Sequence, residues 1–251
     1  MTRARELYRE GRLNEAIGSL QACLRDRPSD TAARVFLFEL LCFAGDFVRA
    51  GRQLYALGGT DGEHKNLVSL YGLAVEAEGG RQESVPPAWD ESALPVGGML
   101  NGRPFTWLSD ADAALGPRLE FIGAGEFHRV PFAWLSRIEV APPVRLRDLY
   151  FLPAAIHTGP ELKSFFFEQV LIPCLYPGSF RCDDDLIKLG RATEWLPVQS
   201  GTVRPAGLRL WLARFTGESE EIEIPITEVR LVEFARSDSR LELQSEHQSD
   251  R

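Results

Sequence analysis

The side chains of this sequence that could do chemistry are its carboxylates, imidazoles and thiols, and their spacing decides how much they can do. Asp110 and Asp112 could act as a carboxylate pair in acid–base work, but nothing nearby offers a nucleophile with an adjacent base. Gly116-Pro117 just downstream gives the pair a turn role instead. His128 and His157 lie in apolar, strand-like patterns without a cysteine or carboxylate at metal-ligand spacing. The run Asp183-Asp184-Asp185 offers oxygen ligands to a hard cation, but three consecutive carboxylates fit no cation loop. Capping of a helix N-terminus is the better role for them. Cys23, Cys42, Cys174 and Cys182 form no C-x-x-C pair and sit among apolar residues, which reads as reduced core thiols. There is no G-x-S-x-G, phosphate-cradling glycine loop or zinc-binding helix motif. No catalytic residue, metal or cofactor is therefore predicted. The rival reading is a small-ligand-binding or hydrolytic site gathered from Asp110, Asp112, His128 and Asp183.

The 251 residues are 44% hydrophobic and 25% charged, the profile of a chain that folds around a core. Net charge is -8 with scattered basic residues, which argues against nucleic acid and anionic membrane as partners. The first residues lead straight into an amphipathic pattern without an apolar signal core. The longest apolar run, Val35 to Ala44, is broken by Glu39 and is too short to span a bilayer. A cytoplasmic location follows as the expectation.

The elements that must position any site begin with a repeat. Leu7, Gly11, Ala16, Leu20 and Cys23 recur thirty-four positions later as Leu41, Gly45, Ala50, Leu54 and Leu57. The glycines suit tight reversals between antiparallel helices, and the alanines let the helices approach. Pro28 ends the first pair, and Ser29 and Asp30 can cap the next helix. A third unit opens with Leu67, Leu70, Leu73, Ala74 and Ala77 and reaches Gly79, but Val85-Pro86-Pro87 denies it a second helix. The spacing predicts a tetratricopeptide-like (TPR-like) helical domain over 1–85, its last helix covered by the rest of the chain. The first helix of each unit would project Arg5, Tyr8, Val35, Glu39, Ser69, Leu73 and Glu76 onto a concave face suited to a partner's helix or to a second copy of the chain. The same stripe could instead pack inside the molecule.

From Pro95 the texture changes to short Phe, Trp, Val and Ile segments punctuated by Gly and Pro, predicting a mainly β domain over 95–234. Expected strands are 103–109, 118–122, 127–131, 138–140, 149–157, 166–173, 208–215 and 222–231, with a helix at 184–191. Phe165-Phe166-Phe167 reads as a strand buried on both faces, or, if exposed, as an interface. Residues 235–251 are polar and aperiodic, which predicts a disordered tail. The fold class is α+β.

With these residues in view, the sequence up to about Phe234 resembles the ImpE/TagJ family, accessory proteins of bacterial type VI secretion systems. The resemblance rests on Gly11-Arg12-Leu13-Asn14-Glu15-Ala16 and Arg34 to Cys42. More specific are Trp107-Leu108-Ser109-Asp110-Ala111-Asp112 with Leu115-Gly116-Pro117, Val130-Pro131-Phe132, Leu146-Arg147-Asp148-Leu149, Tyr176-Pro177-Gly178-Ser179 and Thr193-Glu194-Trp195. It implies a cytoplasmic, non-enzymatic helper that binds the N-terminal helix of the small sheath subunit and assists the AAA+ ATPase that recycles sheaths. The chain departs from the family at Leu175, where a basic residue is expected, and over Glu161 to Gln169, which is longer and more aromatic.

Overall fold

Local sequence dictates the helical half of the chain. A computed structural model describes residues 1–58, 62–84, 86, 96–198 and 201–235. In it α1 (Thr2–Arg9) and α2 (Leu13–Asp26) form one antiparallel hairpin, and α3 (Thr31–Phe43) and α4 (Phe47–Tyr55) form the next. Each reversal turns on a glycine in the left-handed region, Gly11 at φ +79° and Gly45 at φ +71°. Asp30 accepts a hydrogen bond from the Ala33 N–H, and Asp46 accepts one from Arg49 N–H, capping α3 and α4. α5 (Gly62–Glu83) follows alone. It does not stop at Gly79, as the period suggests, but continues to Glu83 because Glu78, Arg81 and Gln82 all find partners in the sheet part. None of the helices among the described residues is long and apolar enough to cross a membrane.

The remainder is a ten-stranded antiparallel sheet, ordered β11-β10-β2-β1-β12-β5-β6-β7-β3-β4. Its strands are β1 (Gly98–Leu100), β2 (Arg103–Asp110), β3 (Arg118–Gly123), β4 (Glu126–Pro131), β5 (Leu135–Val140), β6 (Phe151–Thr158), β7 (Phe166–Pro173), β10 (Leu210–Phe215), β11 (Ile222–Pro225) and β12 (Leu231–Phe234). A separate ribbon pairs β8 (Thr193–Pro197) with β9 (Val203–Gly207), and α6 is the single turn Asp185–Lys188. The strand order hides a pseudo-twofold relation about the β5–β12 pair. Strands β1 to β5 map in sequence order onto β6, β7, β10, β11 and β12, and each half lends a strand to the other, β2 pairing with β10 and β7 with β3. At matching places Pro131 and Pro225 lead into short 3₁₀ turns whose first residues, Phe132 and Ile226, are fully buried. The buried residues Leu135, Ile138 and Val140 correspond to Val229, Val232 and Phe234. Arg137 spans the pseudo-axis between the equivalent carboxylates Glu139 (2.8 Å) and Glu233 (3.1 Å).

The fold class is α+β, with helices first and the sheet after. Four differences from the expected elements have physical causes. The segment 222–231 is two strands, since Pro225 and the 3₁₀ turn interrupt the ladder. The helix at 184–191 is cut to 185–188 by Gly190 at φ +64°. The strands β1, β8 and β9 are too short and irregular to show periodicity. Phe165-Phe166-Phe167 is not doubly buried: Phe165 and Phe166 are 57% and 46% exposed, because β3 pairs with β7 only at Leu171 and Val170. The expected tail, 236–251, lies outside the described residues.

The helical core runs on into the sheet part, where Ile122, Tyr150, Phe151, Leu171, Leu175 and Leu189 belong to the same apolar cluster as Leu7, Phe38 and Leu54. α5 lies against β3 and β4, so the sheet covers the last helix. Segment 178–191 crosses the turn ends of all three helical units. Gly178 N–H donates to Gln82 Oε1 at the end of α5, the Phe180 ring sits within 2.9 Å of where a Cβ on Gly45 would stand, and Leu186 lies 3.0 Å from that point on Gly11. Asp185 accepts from the Leu13 N–H at 2.8 Å, and Arg191 donates to the carbonyls of Tyr8 and Arg9 at 2.7 and 3.0 Å. The repeat glycines therefore do two jobs, turning the chain and leaving room for this strap.

Candidate functional site

Four of the seven residues expected on the concave face meet in one groove of about 610 Å³. α1 supplies Arg5, Tyr8 and Arg9, α3 supplies Val35, Phe36 and Glu39, and the loop Pro143 to Leu149 forms the opposite wall. Tyr8 and Phe36 meet edge to face at 6.0 Å, and the Arg191 guanidinium lies 4.6 Å over the Tyr8 ring, so the apolar floor is held in place. Arg5, Arg9 and Arg145 stand exposed on the rim without an ion pair among the described residues. The groove is thus a basic, apolar-floored trough on an acidic protein, a surface for an apolar segment flanked by acidic residues.

Glu39 does not present a free charge there. It is buried, and Arg147 donates to it at 3.0 Å while lying 5.3 Å from the Tyr71 ring. Burial raises the Glu39 carboxyl above its usual range, with Arg147 pulling the other way. Asp148 accepts from the N–H groups of Val144 and Arg145 at 2.9 and 2.8 Å, which fixes the wall loop. The Arg147-Asp148 pair therefore builds the groove: one residue anchors the loop to α3 and the other shapes it. The remaining expected residues fall elsewhere. Ser69 and Leu73 line a second groove against Ile122, Ala124 and Gly125, and Glu76 lies in a third between α4 and α5. Arg9, Phe36 and Arg145 are groove residues that the repeat pattern missed. Their signal was weak, resting on the position next to Tyr8, the one next to Val35, and the Arg145-to-Leu149 run.

The other motif residues fall outside the groove. Asp110 Oδ1 accepts from the Asp112 N–H at 2.8 Å, Asp112 pairs with Arg204, and Gly116 takes φ +65° before Pro117, so this motif is the turn between β2 and β3. Trp107 is half-buried beneath Arg214, and Trp195 is exposed on the β8–β9 ribbon. The Tyr176 hydroxyl bonds both backbone groups of Leu210 at 3.0 Å, and the Gly178 N–H, beyond Pro177, holds Gln82. Leu175 is buried, and its carbonyl accepts from Arg81 at 2.9 Å. His128 stacks on Phe121 at 4.9 Å, His157 on Phe166 at 4.2 Å, and Asp183 is exposed. None of the grooves described is lined by Asp110, Asp112, His128 or Asp183. Asp184 caps α6, accepting from Leu186 N–H, as the sequence suggested.

Apart from the groove, a buried ion network joins α5 to the sheet. Arg81 binds Glu78 through two bonds of 2.7 Å and Glu120 at 3.1 Å, and Glu120 also receives Arg129 and Arg209. Burial opposes ionisation of Glu120, but Arg209 and Arg81 outweigh it and hold the carboxyl below its usual range. Asp110, 3.5 Å from Arg209, has the weaker partner, and burial pushes it up from 3.8 to about 7. Because this folded-state value lies above the unfolded one, Asp110 contributes most at acid pH and the contribution is lost as pH rises towards 7. Urea midpoints across that range should show wild type losing about 1.4 kcal/mol per pH unit relative to Asp110→Asn. Parallel pH profiles for the two proteins would show that Asp110 does not carry the buried proton.

Comparison with known proteins places these features in a family. The ImpE protein family model matches residues 102–236. The chain is 31% identical to the type VI secretion system accessory component TagJ of Pseudomonas aeruginosa over 94% of its own length and 92% of that protein's. The crystal structure of protein VPA1032 from Vibrio parahaemolyticus shares the fold, with a TM-score of 0.78 at 21% identity, covering 95% of this chain and 99% of that one. On the family match and the near full-length similarity, the chain belongs to the ImpE family.

Proposed function

We propose that this protein is a non-catalytic adaptor of a bacterial type VI secretion system, acting in the cytoplasm, whose TPR-like helices bind the N-terminal helix of the small sheath subunit and so assist the sheath-recycling AAA+ ATPase. The observation that carries this reading is the groove between α1, α3 and the 143–149 loop. Its floor is apolar, its rim is basic, and its wall is built by family-motif residues. Kinship with TagJ supports the secretion system as the setting. The buried engagements of Asp110 and Asp112 favour a structural role for the carboxylates that a hydrolytic site would need.

The test is binding of a synthetic peptide of the small subunit's N-terminal helix to the purified full chain by calorimetry. Micromolar affinity is expected, and Tyr8→Ala combined with Arg5→Glu should weaken it by about tenfold to a hundredfold. Salt should weaken it as well, since the rim charges are exposed. Unchanged affinity in the double variant would move the site away from this groove, and no binding at all would remove the partner. Glu39 is unsuitable for this test, because its reversal would disturb the fold through Arg147.

A further inference from the structure

One apolar surface lies apart from both the basic trough and the sheet. α4 and α5 leave a groove of about 550 Å³ between them, floored by Leu54, Val68 and Val75. From α4 project Val48 and Tyr55, 69% and 85% exposed and two helical turns apart. On α5, Gly72 and Gly79 are separated by the same two turns, and no heavy atom lies within 4 Å of where their Cβ atoms would stand. The two walls also carry opposite charges, Arg52 on α4 and Glu76 on α5, both exposed and without an ion pair among the described residues.

The repeat explains why this surface is open. Within the thirty-four-residue period, Gly72 and Glu76 stand where α3 has Phe38 and Cys42, both buried. α1 and α3 each receive a second helix from their own hairpin, whereas α5 runs on into the sheet. Among the described residues no second helix follows α5 before the sheet begins at β1. Among the described residues, the seat a sixth helix would take has no occupant.

We propose that a second copy of this chain fills that seat, each copy's α4 lying in the other's α4–α5 groove. A twofold interface requires a surface complementary to itself. This one has protruding side chains and unfilled positions at equal spacing, so Val48 and Tyr55 of one copy can enter over Gly72 and Gly79 of the other. The same rotation sets Arg52 against Glu76 of the second copy, twice. The patch is only two helices wide, which is small for a stable complex, so association is weak and concentration-dependent. The site is distinct from the α1–α3 trough and stands whether or not the small subunit binds there.

Sedimentation of the full chain from micromolar to several hundred micromolar should show dimer growing with concentration. Arg52→Glu and Glu76→Arg should each weaken association about tenfold. An equal mixture of the two single variants should associate again, because each copy then offers the other the opposite charge at both contacts. Gly72→Leu favours helix and fills the open position, so it should abolish association without lowering the melting temperature. A monomer at every concentration, a dimer indifferent to these changes, or a mixture that stays monomeric would each overturn the proposal, as would a monomer whose Tyr55→Glu variant loses some other protein.

Discussion

Replacing Arg81 with leucine should lower the stability of the whole chain by about 3–5 kcal/mol. Arg81 is fully buried, and its guanidinium neutralises Glu78 and Glu120 while donating to the Leu175 carbonyl. Leucine would fill much of the space but leave two carboxylates in the interior with one cation fewer. Removing one partner of such a cluster costs far more than the cluster contributes over an apolar replacement, since the orphaned charge keeps its desolvation penalty. Against a typical total of about 5–15 kcal/mol, this is a large fraction. Equilibrium urea unfolding measures it. Arg12→Leu is the control, because the Arg12–Glu15 pair is solvent-exposed and its loss should be small. Equal effects from the two variants would mean that the buried network does not hold the helices to the sheet.

The second large effect is expected at Arg147, which closes the other side of the same seam. Arg147→Leu should destabilise by about 3 kcal/mol or more, because it strands Glu39 in the apolar interior of α3. The double variant Glu39→Leu with Arg147→Leu should recover most of that loss, and the coupling read from the full cycle is the diagnostic quantity. If the double variant is no better than the single one, Arg147 stabilises through the Tyr71 ring rather than through charge. On the proposed function, affinity for the small-subunit helix should fall in the single variant too, because the loop that Arg147 anchors forms a wall of the trough.

These two clusters show where sequence reading works and where it stops. The helical hairpins were legible because their determinants are local: a turn glycine, a small alanine and leucines at helical spacing, all within one period. Most strands of the sheet were legible as short aromatic and β-branched segments punctuated by Gly and Pro, but their partners were not, since pairings such as Asp110 with Trp211 join residues far apart in sequence. Glu39 was read as a solvent-facing contact because charged residues on helices usually are. The contrary signal was its place inside the otherwise apolar run from Val35 to Ala44. Its cation lies 108 residues away, a distance that no periodicity bridges. The doubled sheet escaped notice for a similar reason. Between His128–Val140 and Ile222–Phe234 little persists beyond Pro131 with Pro225 and Glu139 with Glu233, while burial at the equivalent positions is retained.

The crossing of β2 into the ladder of β10, and of β7 into that of β3, means that neither half of the sheet can be completed without the other. A polypeptide leaving the ribosome must therefore wait for β10 before β2 finds a neighbour on its far side, which puts slow, late closure into the topology itself. The arrangement is the one that two protomers exchanging strands would have, so a truncation between β7 and β10 would strip β1 and β2 of their outer neighbours β12 and β10 while leaving the run β5-β6-β7-β3-β4 paired.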